Sequence, residues 1–168
     1  MEKINVEQLD RNLIDLIHND WGVLTVQDSD KVNGMTVNWV QTGWLWNKPV
    51  MTVYVRPQRH TFPLIEKEDR FSLAFFDPDQ REALAWLGKA SGRDQDKLAH
   101  VGYTTSLLDG VFCIDQARLV FVLRKLAVME IDSACFVDQN IRAACYPQSD
   151  YHKAYTCEIV STWMKPLD

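Results

Sequence analysis

A cluster of cationic and polar side chains follows directly on a predicted buried strand. The strand covers residues 50–55, and Arg56, Arg59 and Thr61 come immediately after it. Paired guanidinium N–H groups match the oxygens of a phosphate, and the apolar strand beside them offers a dry surface. The arrangement suits a ligand with a flat apolar part and an anionic end. Surface arginines that pair with nearby carboxylates are the alternative interpretation.

A second polar cluster occupies residues 91–97, with the sequence SGRDQDK. A glycine between Ser91 and Arg93 can direct successive backbone N–H groups at an anion, and Arg93 and Lys97 add positive charge. An ordinary helix capped by Asp94, with Arg93 in solvent, explains the same pattern, because short glycine-containing patterns also occur by chance. Both interpretations stay open on this segment alone.

Polar and aromatic side chains alternate on a predicted strand at residues 35–40. Thr36 and Asn38 could hydrogen-bond the carbonyls and ring nitrogens of a heterocycle, and Trp39, Trp44 and Trp46 offer aromatic surface. Flavin mononucleotide (FMN) combines a tricyclic ring with a phosphate and has the required shape. A strand that turns its polar face to water is an equally good interpretation.

Other types of active site are not supported by the sequence. It contains no catalytic triad, no paired-carboxylate site and no G-x-G-x-x-G after a strand, so no Rossmann dinucleotide site is predicted and no catalytic residue is assigned. The four cysteines and four histidines lack the spacing of metal ligands, so no metal site is expected. His152 stands alone before the last predicted strand, where a structural role is favoured over a role in a site.

Length and composition indicate one domain over residues 1–168, with 46% hydrophobic residues to form its core. A net charge of -5 argues against a nucleic-acid partner, and no basic run points to a membrane surface. The charged N-terminus lacks the apolar core of a signal peptide, and no apolar stretch could span a bilayer. We therefore expect a cytoplasmic protein.

The hydrophobic pattern predicts many short strands with helices between them. Strands are predicted at residues 21–26, 35–40, 50–55, 71–76, 111–114, 118–129 and 155–164, and helices at residues 6–18, 62–67, 77–87 and 98–101, with one helical turn near residues 140–144 in an otherwise irregular segment. A polar turn is predicted at residues 28–30, a hairpin between 111–114 and 118–129, and a bulge at residues 124–125. Because strands and helices do not alternate regularly, a largely antiparallel barrel with peripheral helices fits better than a parallel sheet.

Several segments, taken in order along nearly the whole chain, resemble one known family. They are WGVLT (21–25), NGMTVNW (33–39), GWLWNKP (43–49), RPQRHT (56–61), FSLAFF (71–76), SGRDQDK (91–97), RKL (124–126), DYH (150–152) and EIV (158–160). Together they resemble the flavin reductase-like, FMN-binding split-barrel proteins, the group that includes flavoredoxin. No single motif decides the resemblance, which depends on the ordered set.

The resemblance implies a mainly β fold, an antiparallel Greek-key split barrel with peripheral α-helices, which forms a homodimer with one FMN per subunit near the dimer interface. It implies an FMN-dependent oxidoreductase, a flavin reductase that uses NADH or NADPH. A flavoredoxin-type electron carrier with a redox protein partner, and a non-catalytic flavin-binding module, are the alternatives. By motif, the ring and ribityl chain would contact Met35, Thr36, Val37, Asn38 and Trp39. The ribityl chain and phosphate would contact Arg56, Arg59, Thr61, Ser91, Arg93 and Lys97.

Three positions depart from the pattern of the family. Val40 stands where many relatives have Gly, Cys157 replaces a Gly before Glu158 and Ile159, and His60 stands where relatives often have Tyr. For Cys157, a packed buried thiol is favoured over a thiol beside the flavin. None of the three changes removes a predicted phosphate donor.

Overall fold

The computed structural model describes residues 1–29 and 31–166, in which it contains ten strands and five α-helices. The strands are β1 (Glu2–Ile4), β2 (Gly22–Asp28), β3 (Lys31–Val37), β4 (Val40–Leu45), β5 (Lys48–Val55), β6 (Arg70–Phe75), β7 (Thr105–Leu108), β8 (Val111–Ile114), β9 (Leu119–Glu130) and β10 (Lys153–Met164). The helices are α1 (Leu13–Asp15), α2 (Thr61–Lys67), α3 (Arg81–Lys89), α4 (Lys97–His100) and α5 (Gln139–Cys145). None of the helices in these two ranges is long and apolar enough to cross a membrane.

The main sheet is antiparallel throughout, with the strand order β3-β2-β6-β9-β10-β5-β4, and β1 pairs with the far end of β10. Neighbours such as β5 and β10 are far apart in the chain, as in a Greek-key arrangement. The inward faces of the strands enclose one apolar cluster, in which Leu24, Met51, Phe121 and Tyr155 are almost fully buried. The predicted mainly β, antiparallel barrel is therefore confirmed.

A second layer covers the outer face of β2, β6 and β9. Val23 and Val120 on these strands pack with Leu84 and Leu87 of α3 and Leu98 of α4. The same packing sets α3 and α4 beside β3, and so holds the loop between the two helices near the end of the barrel. This loop carries the second predicted anion cluster.

The predicted hairpin between residues 111–114 and 118–129 is wrong. The strand β8 pairs instead with β7, a strand that was not predicted, and β9 lies between β6 and β10. Asp109 and Gly110 make the turn with positive φ angles of 48° and 80°. This backbone matches a two-residue hairpin turn, for which Asp-Gly is a strong sequence signal.

The tryptophan-rich segment between the strands predicted at residues 35–40 and 50–55 forms a strand that was not predicted. Strand β3 ends at Val37, and β4 then pairs with β5 from Val40 onward. Trp46 and Asn47 form the tight turn between them, with φ angles of 50° and 56°. The single strand predicted at residues 35–40 is thus the end of one strand and the start of another.

The long N-terminal helix predicted at residues 6–18 is also wrong. A short 3₁₀ turn at Val6–Gln8 is followed by α1 and a π-helical segment at Leu16–Asp20. The Asn5 side chain accepts from the N–H of Glu7, and the Asn12 side chain accepts from two further N–H groups. Because Asn12 starts a new helix in the middle of the predicted one, the helical pattern is interrupted.

Most other predicted elements are confirmed within a few residues. The bulge lies at Leu126, since Lys125 and Ala127 pair with consecutive residues of β10. Helix α2 begins at Thr61, one residue before its predicted start, and His60 is its N-cap. The helix predicted from residue 77 begins as a 3₁₀ turn before α3. The polar turn predicted at residues 28–30 includes position 30, which lies outside the described residues.

Candidate functional site

Two adjoining cavities form one cleft at the end of the barrel, and Met35, Arg56 and Arg59 line both. The larger cavity, of about 530 Å³, is here called the cationic end. The smaller one, of about 220 Å³, is called the aromatic end. The cationic end contains Asn33, His60, Thr61, Lys89, Ser91, Gly92, Arg93 and Lys97, and the aromatic end contains Thr36, Val37, Asn38, Trp39, Tyr54 and His152. The structure thus brings every predicted site residue to one cleft.

Two loops meet at the cationic end and are tied by arginine side chains. Arg59 donates from Nη1 to the carbonyl of Gly88, at 3.0 Å, and Arg93 donates from Nη2 to the carbonyl of Gln58, at 3.4 Å. Each guanidinium group has further N–H groups beyond those used in these bonds. Neither arginine pairs with a carboxylate among residues 1–29 and 31–166.

Lys97 is the most unusual residue of the cationic end. It is the first residue of α4, only 5% exposed, and within the described part of the chain its ammonium group forms no hydrogen bond or ion pair. Burial, and then the nearby charge of Arg59, lower the pKa of Lys97 to about 8. A buried cation without a counter-ion costs free energy, which an anion in the cleft would offset.

Thr61 and Gly92 shape the deep wall of the cationic end. Thr61 accepts at Oγ1 from Nδ2 of Asn33, at 2.8 Å, so its own hydroxyl hydrogen can still be donated to a ligand. A Cβ atom on Gly92 would lie 2.3 Å from Oδ1 of Asn33 and 2.7 Å from Cδ2 of His60. Any larger residue at position 92 would therefore have to displace the side chains of Asn33 and His60.

The aromatic end is built around His152. Its ring lies 4.8 Å from the ring of Trp39, and Nδ1 is 2.9 Å from the hydroxyl oxygen of Tyr146. Burial, and then the charge of Arg56, lower the pKa of His152 to about 4, so its imidazole is neutral at pH 7. The ring of Tyr54 also faces His152 edge-on.

Arg56 lies between the two ends, but its guanidinium group is already engaged. Nη1 pairs with Oδ2 of Asp150, and Nη2 donates to the carbonyl of Cys145 at 3.1 Å. The guanidinium carbon also lies 5.3 Å from the centre of the Tyr146 ring. Arg56 thus differs from Arg59 and Arg93, although the sequence grouped all three.

A family model described as a flavin reductase-like domain matches residues 16–166. The chain belongs to the flavin reductase-like domain family. None of the curated proteins is detectably similar to it.

Solved structures share the fold of this family member at low sequence identity. An FMN-binding protein from Thermus thermophilus is 23% identical with a TM-score of 0.67, and the match covers 98% of this chain and 82% of the other. Flavoredoxin from Methanosarcina acetivorans is 19% identical with a TM-score of 0.69, covering 98% and 76%. The styrene monooxygenase flavin reductase of Pseudomonas putida S12 is 15% identical with a TM-score of 0.63, covering 88% and 81%. These likenesses identify the fold as a split barrel.

The structure shows the surroundings of the three residues that depart from the pattern of the flavin reductase-like family. Cys157 is fully buried in the cluster inside the barrel, where burial raises the pKa of its thiol to about 12, and it does not line the cleft. Val40 packs against the same cluster from the start of β4. His60 lines the cationic end, with Nε2 2.9 Å from Oδ2 of Asp28.

Two residues of the predicted ring-binding strand have different surroundings. Thr36 donates from its hydroxyl to the carbonyl of Leu84, at 2.6 Å, so it ties β3 to α3. Asn38 follows the end of β3 and is exposed, so its amide group can reach a ligand at the aromatic end. Only the backbone and the acceptor capacity of Thr36 remain for a ligand.

Sequence reasoning missed Asn33 and Tyr54 and favoured a structural role for His152. Asn33 lies two residues before Met35, and side chains two apart on a strand share a face, so its position could have been found. His152 adjoins Lys153, which pairs with Val55. That register brings His152 close to Arg56, and nothing local in the sequence indicates it.

Proposed function

We propose that this protein binds FMN in the cleft and acts as an FMN-dependent oxidoreductase, a flavin reductase that takes electrons from NADH or NADPH. The observation that carries the proposal is Lys97, a buried residue whose ammonium group lacks a partner in residues 1–29 and 31–166 and lies at one end of a cleft whose other end is aromatic. A ligand that satisfies both ends is anionic at one end and flat at the other. FMN meets this requirement.

The donor set of the cationic end fits a phosphate. Lys97, Arg59 and Arg93 supply positive charge without a carboxylate partner in the described residues. The hydroxyl groups of Thr61 and Ser91 add neutral donors. Charge-assisted hydrogen bonds of this kind are the strong ones, and guanidinium groups match phosphate oxygens in pairs. These five residues would hold the phosphate of FMN.

The aromatic end would hold the flavin ring. Met35 and Val37 offer apolar surface, Trp39 offers an aromatic face, and the backbone around Asn38 offers hydrogen-bonding groups. Once bound, the flavin supplies the electron-transfer chemistry. The protein needs no acid–base pair of its own: its side chains bind the phosphate, orient the ring and exclude water from one side of it.

Two of the structural relatives represent two uses of such a site. The Pseudomonas putida S12 protein is named as a flavin reductase, and the Methanosarcina acetivorans protein as flavoredoxin. We favour the reductase because the cleft is open to solvent at the exposed Asn38 and Trp39, where a small nicotinamide donor can approach. A flavoredoxin-type carrier, reduced by a redox protein partner, is the second candidate.

A spectroscopic and kinetic experiment separates these candidates. The purified protein is titrated with FMN, and its oxidation of NADH and of NADPH is followed with excess free FMN. Steady turnover with either nicotinamide supports the reductase, whereas bound FMN that only a partner protein reduces indicates the carrier. Bound FMN that neither donor reduces indicates a non-catalytic module. If neither FMN nor FAD binds at micromolar concentration, the proposal is wrong.

We also propose that the protein is a homodimer. Strand β4 is the last strand of the sheet, and Trp44, Leu45 and Trp46 at its end are exposed. Tryptophan is enriched at protein interfaces, and an edge strand with exposed apolar side chains favours association. A second copy that covers this edge would remove the apolar surface from water.

A further inference from the structure

We propose that Arg56 and Asp150 form a latch, which holds residues 145–152 against the aromatic end, and that Arg56 serves this purpose instead of binding the phosphate. The latch would make Arg56, Asp150 and Tyr146 positioning residues for His152. Its connection to a flavin rests on the proposed function. The latch itself can be tested without any flavin.

Three groups of residues 145–150 engage the same guanidinium group. Asp150 pairs with Nη1 of Arg56, the carbonyl of Cys145 accepts from Nη2, and the ring of Tyr146 lies beside the guanidinium carbon at 5.3 Å. Gln58 adds a second donor to Oδ2 of Asp150, at 2.8 Å. Arg56 and Gln58 follow β5, so the latch ties the chain before β10 to the end of β5.

The latched segment contributes His152 to the wall of the aromatic end. The Tyr146 hydroxyl is hydrogen-bonded to Nδ1 of His152, and the rings of both residues lie near that of Trp39, with centroids 6.2 Å and 4.8 Å away. His152 directly precedes β10. A segment held on one side by β10 and on the other by Arg56 keeps the half-buried imidazole in a fixed position.

Arg56 differs from the other cations of the cleft because it is paired with a carboxylate. Asp150 already neutralises Arg56, and both side chains are largely buried. A phosphate at Arg56 would have to compete with this carboxylate, which is fixed in place by a second donor from Gln58. Arg59, Arg93 and Lys97 meet no such competitor within the described ranges, so the phosphate would bind to them.

The pKa of His152 depends on whether the latch is closed. The Asp150→Asn variant distinguishes two explanations, because they predict shifts of this pKa in opposite directions. Burial lowers this pKa most, Arg56 and Arg59 lower it further, and the negative charge of Asp150 raises it. If Asp150 acted only as a nearby charge, Asp150→Asn would lower the pKa of His152. If Asp150 closes the latch, the same change exposes the imidazole and moves its pKa up from about 4 toward the ordinary value of 6.5.

The measurement is an NMR pH titration of the full-length protein, with the His152 signal assigned from a His152→Gln variant. We expect Asp150→Asn and Arg56→Gln each to raise the pKa of His152 by about one unit or more. The double variant should add little to either single one, because each change opens the same latch. A lower pKa in Asp150→Asn, or additive shifts in the double variant, would overturn the proposal.

Ligand binding provides an independent readout on the same proteins. Arg56→Gln should leave the ratio of FMN to riboflavin affinity within about threefold of the parent protein, since the phosphate is bound elsewhere. Arg59→Gln is the matched control, and it should reduce that ratio at least tenfold. An equal loss in both variants would show that Arg56 binds the phosphate. If neither flavin binds, the proposed function fails while the titration still tests the latch.

A milder variant keeps the test valid if Asp150→Asn does not fold. Gln58 is exposed and contributes only one of the hydrogen bonds to Asp150. Gln58→Ala should therefore raise the pKa of His152 in the same direction by a smaller amount. No shift in this variant, together with a folded protein, would count against the latch.

Discussion

At the scale of single residues, the protonation of Lys97 affects the stability of the fold. Its pKa of about 8 in the folded protein lies below the ordinary 10.5 of the unfolded chain. The unfolded state therefore binds the proton more tightly, and the charged Lys97 destabilises the fold at pH 7. This penalty is largest below pH 8 and is lost as the pH rises from 8 to 10.5.

We expect Lys97→Met to stabilise the flavin-free protein. Removal of the buried charge at nearly constant volume should raise the melting temperature at pH 7 by about 2–4 °C, equivalent to roughly 1 kcal/mol. The gain should shrink between pH 8 and 10.5, as the parent protein loses the charge as well. Lys89→Met, at an exposed lysine of the same cleft, serves as the control and should change little. A lower melting temperature for Lys97→Met would contradict this account.

The same residue predicts a pH dependence of FMN affinity. Bound phosphate favours the charged form of Lys97, so above pH 8 binding must be accompanied by uptake of a proton. The dissociation constant for FMN, measured by fluorescence quenching, should be nearly constant from pH 7 to 8 and then rise by up to about tenfold per pH unit. Riboflavin, and FMN with the Lys97→Met variant, should not show this rise.

Arg59 and Arg93 provide a second test of the phosphate site. Each would contribute a charge-assisted hydrogen bond, which is typically worth roughly 1.5–3 kcal/mol. Arg59→Ala and Arg93→Ala should therefore each weaken FMN binding by about one to two decades in a fluorescence titration. Riboflavin, which lacks the phosphate, should be affected far less. Equal losses for both ligands would show that these arginines do not bind the phosphate.

Among the structural elements, the loop between α3 and α4 depends on the absence of a side chain at Gly92. A Cβ atom there would meet Asn33 and His60 well inside contact distance. Gly92→Ala should push this loop away from β3, lower stability by about 1–3 kcal/mol and weaken FMN binding. Gly43→Ala is a matched control, because no atom lies within 4 Å of its added Cβ. Equal effects of the two changes on FMN affinity would contradict this role for Gly92.

The elements also show which parts of the fold were readable from the sequence. Strongly apolar strands such as β6 and helices such as α2 were predicted nearly in place, since hydrophobic runs and turn residues define them locally. The strand β4 was missed because its side chains are mostly exposed and have no apolar alternation. The pairing of β9 was mistaken because its partners, β6 and β10, are distant in sequence.

In the candidate site, too, some features were predicted from the sequence and others were not. Arg59, Thr61 and Arg93 were predicted because each lies in a short polar cluster at the end of an element, and such clusters are visible in the sequence. The contacts of Arg56 with Asp150 were not visible, because they depend on the register of β5 against β10 and on a long irregular segment. The location of these residues in one cleft was therefore predictable, and their contacts with residues across the barrel were not.

At the scale of the whole molecule, β4 is one of the two end strands of the main sheet. The inward side chains form a single cluster, while α3, α4 and the β7–β8 hairpin cover the outer face of β2, β6 and β9, and α3 and α4 also lie beside β3, at the other end of the strand order from β4. The β4 edge therefore presents Trp44, 62% exposed, and Trp46, 57% exposed, to solvent. Large aromatic side chains contribute strongly to association when they are buried together.

We expect a charge at this edge to dissociate the proposed homodimer. The parent protein should show a dimer mass by light scattering at micromolar concentration, and Trp44→Glu should shift it to the monomer, because burying an unpaired carboxylate is costly. Leu107→Glu is the matched control, since Leu107 is 59% exposed on β7, a strand of the separate hairpin. A monomeric parent protein would contradict the homodimer. A dimer that tolerates Trp44→Glu but is broken by Leu107→Glu would place the interface on the β7–β8 hairpin.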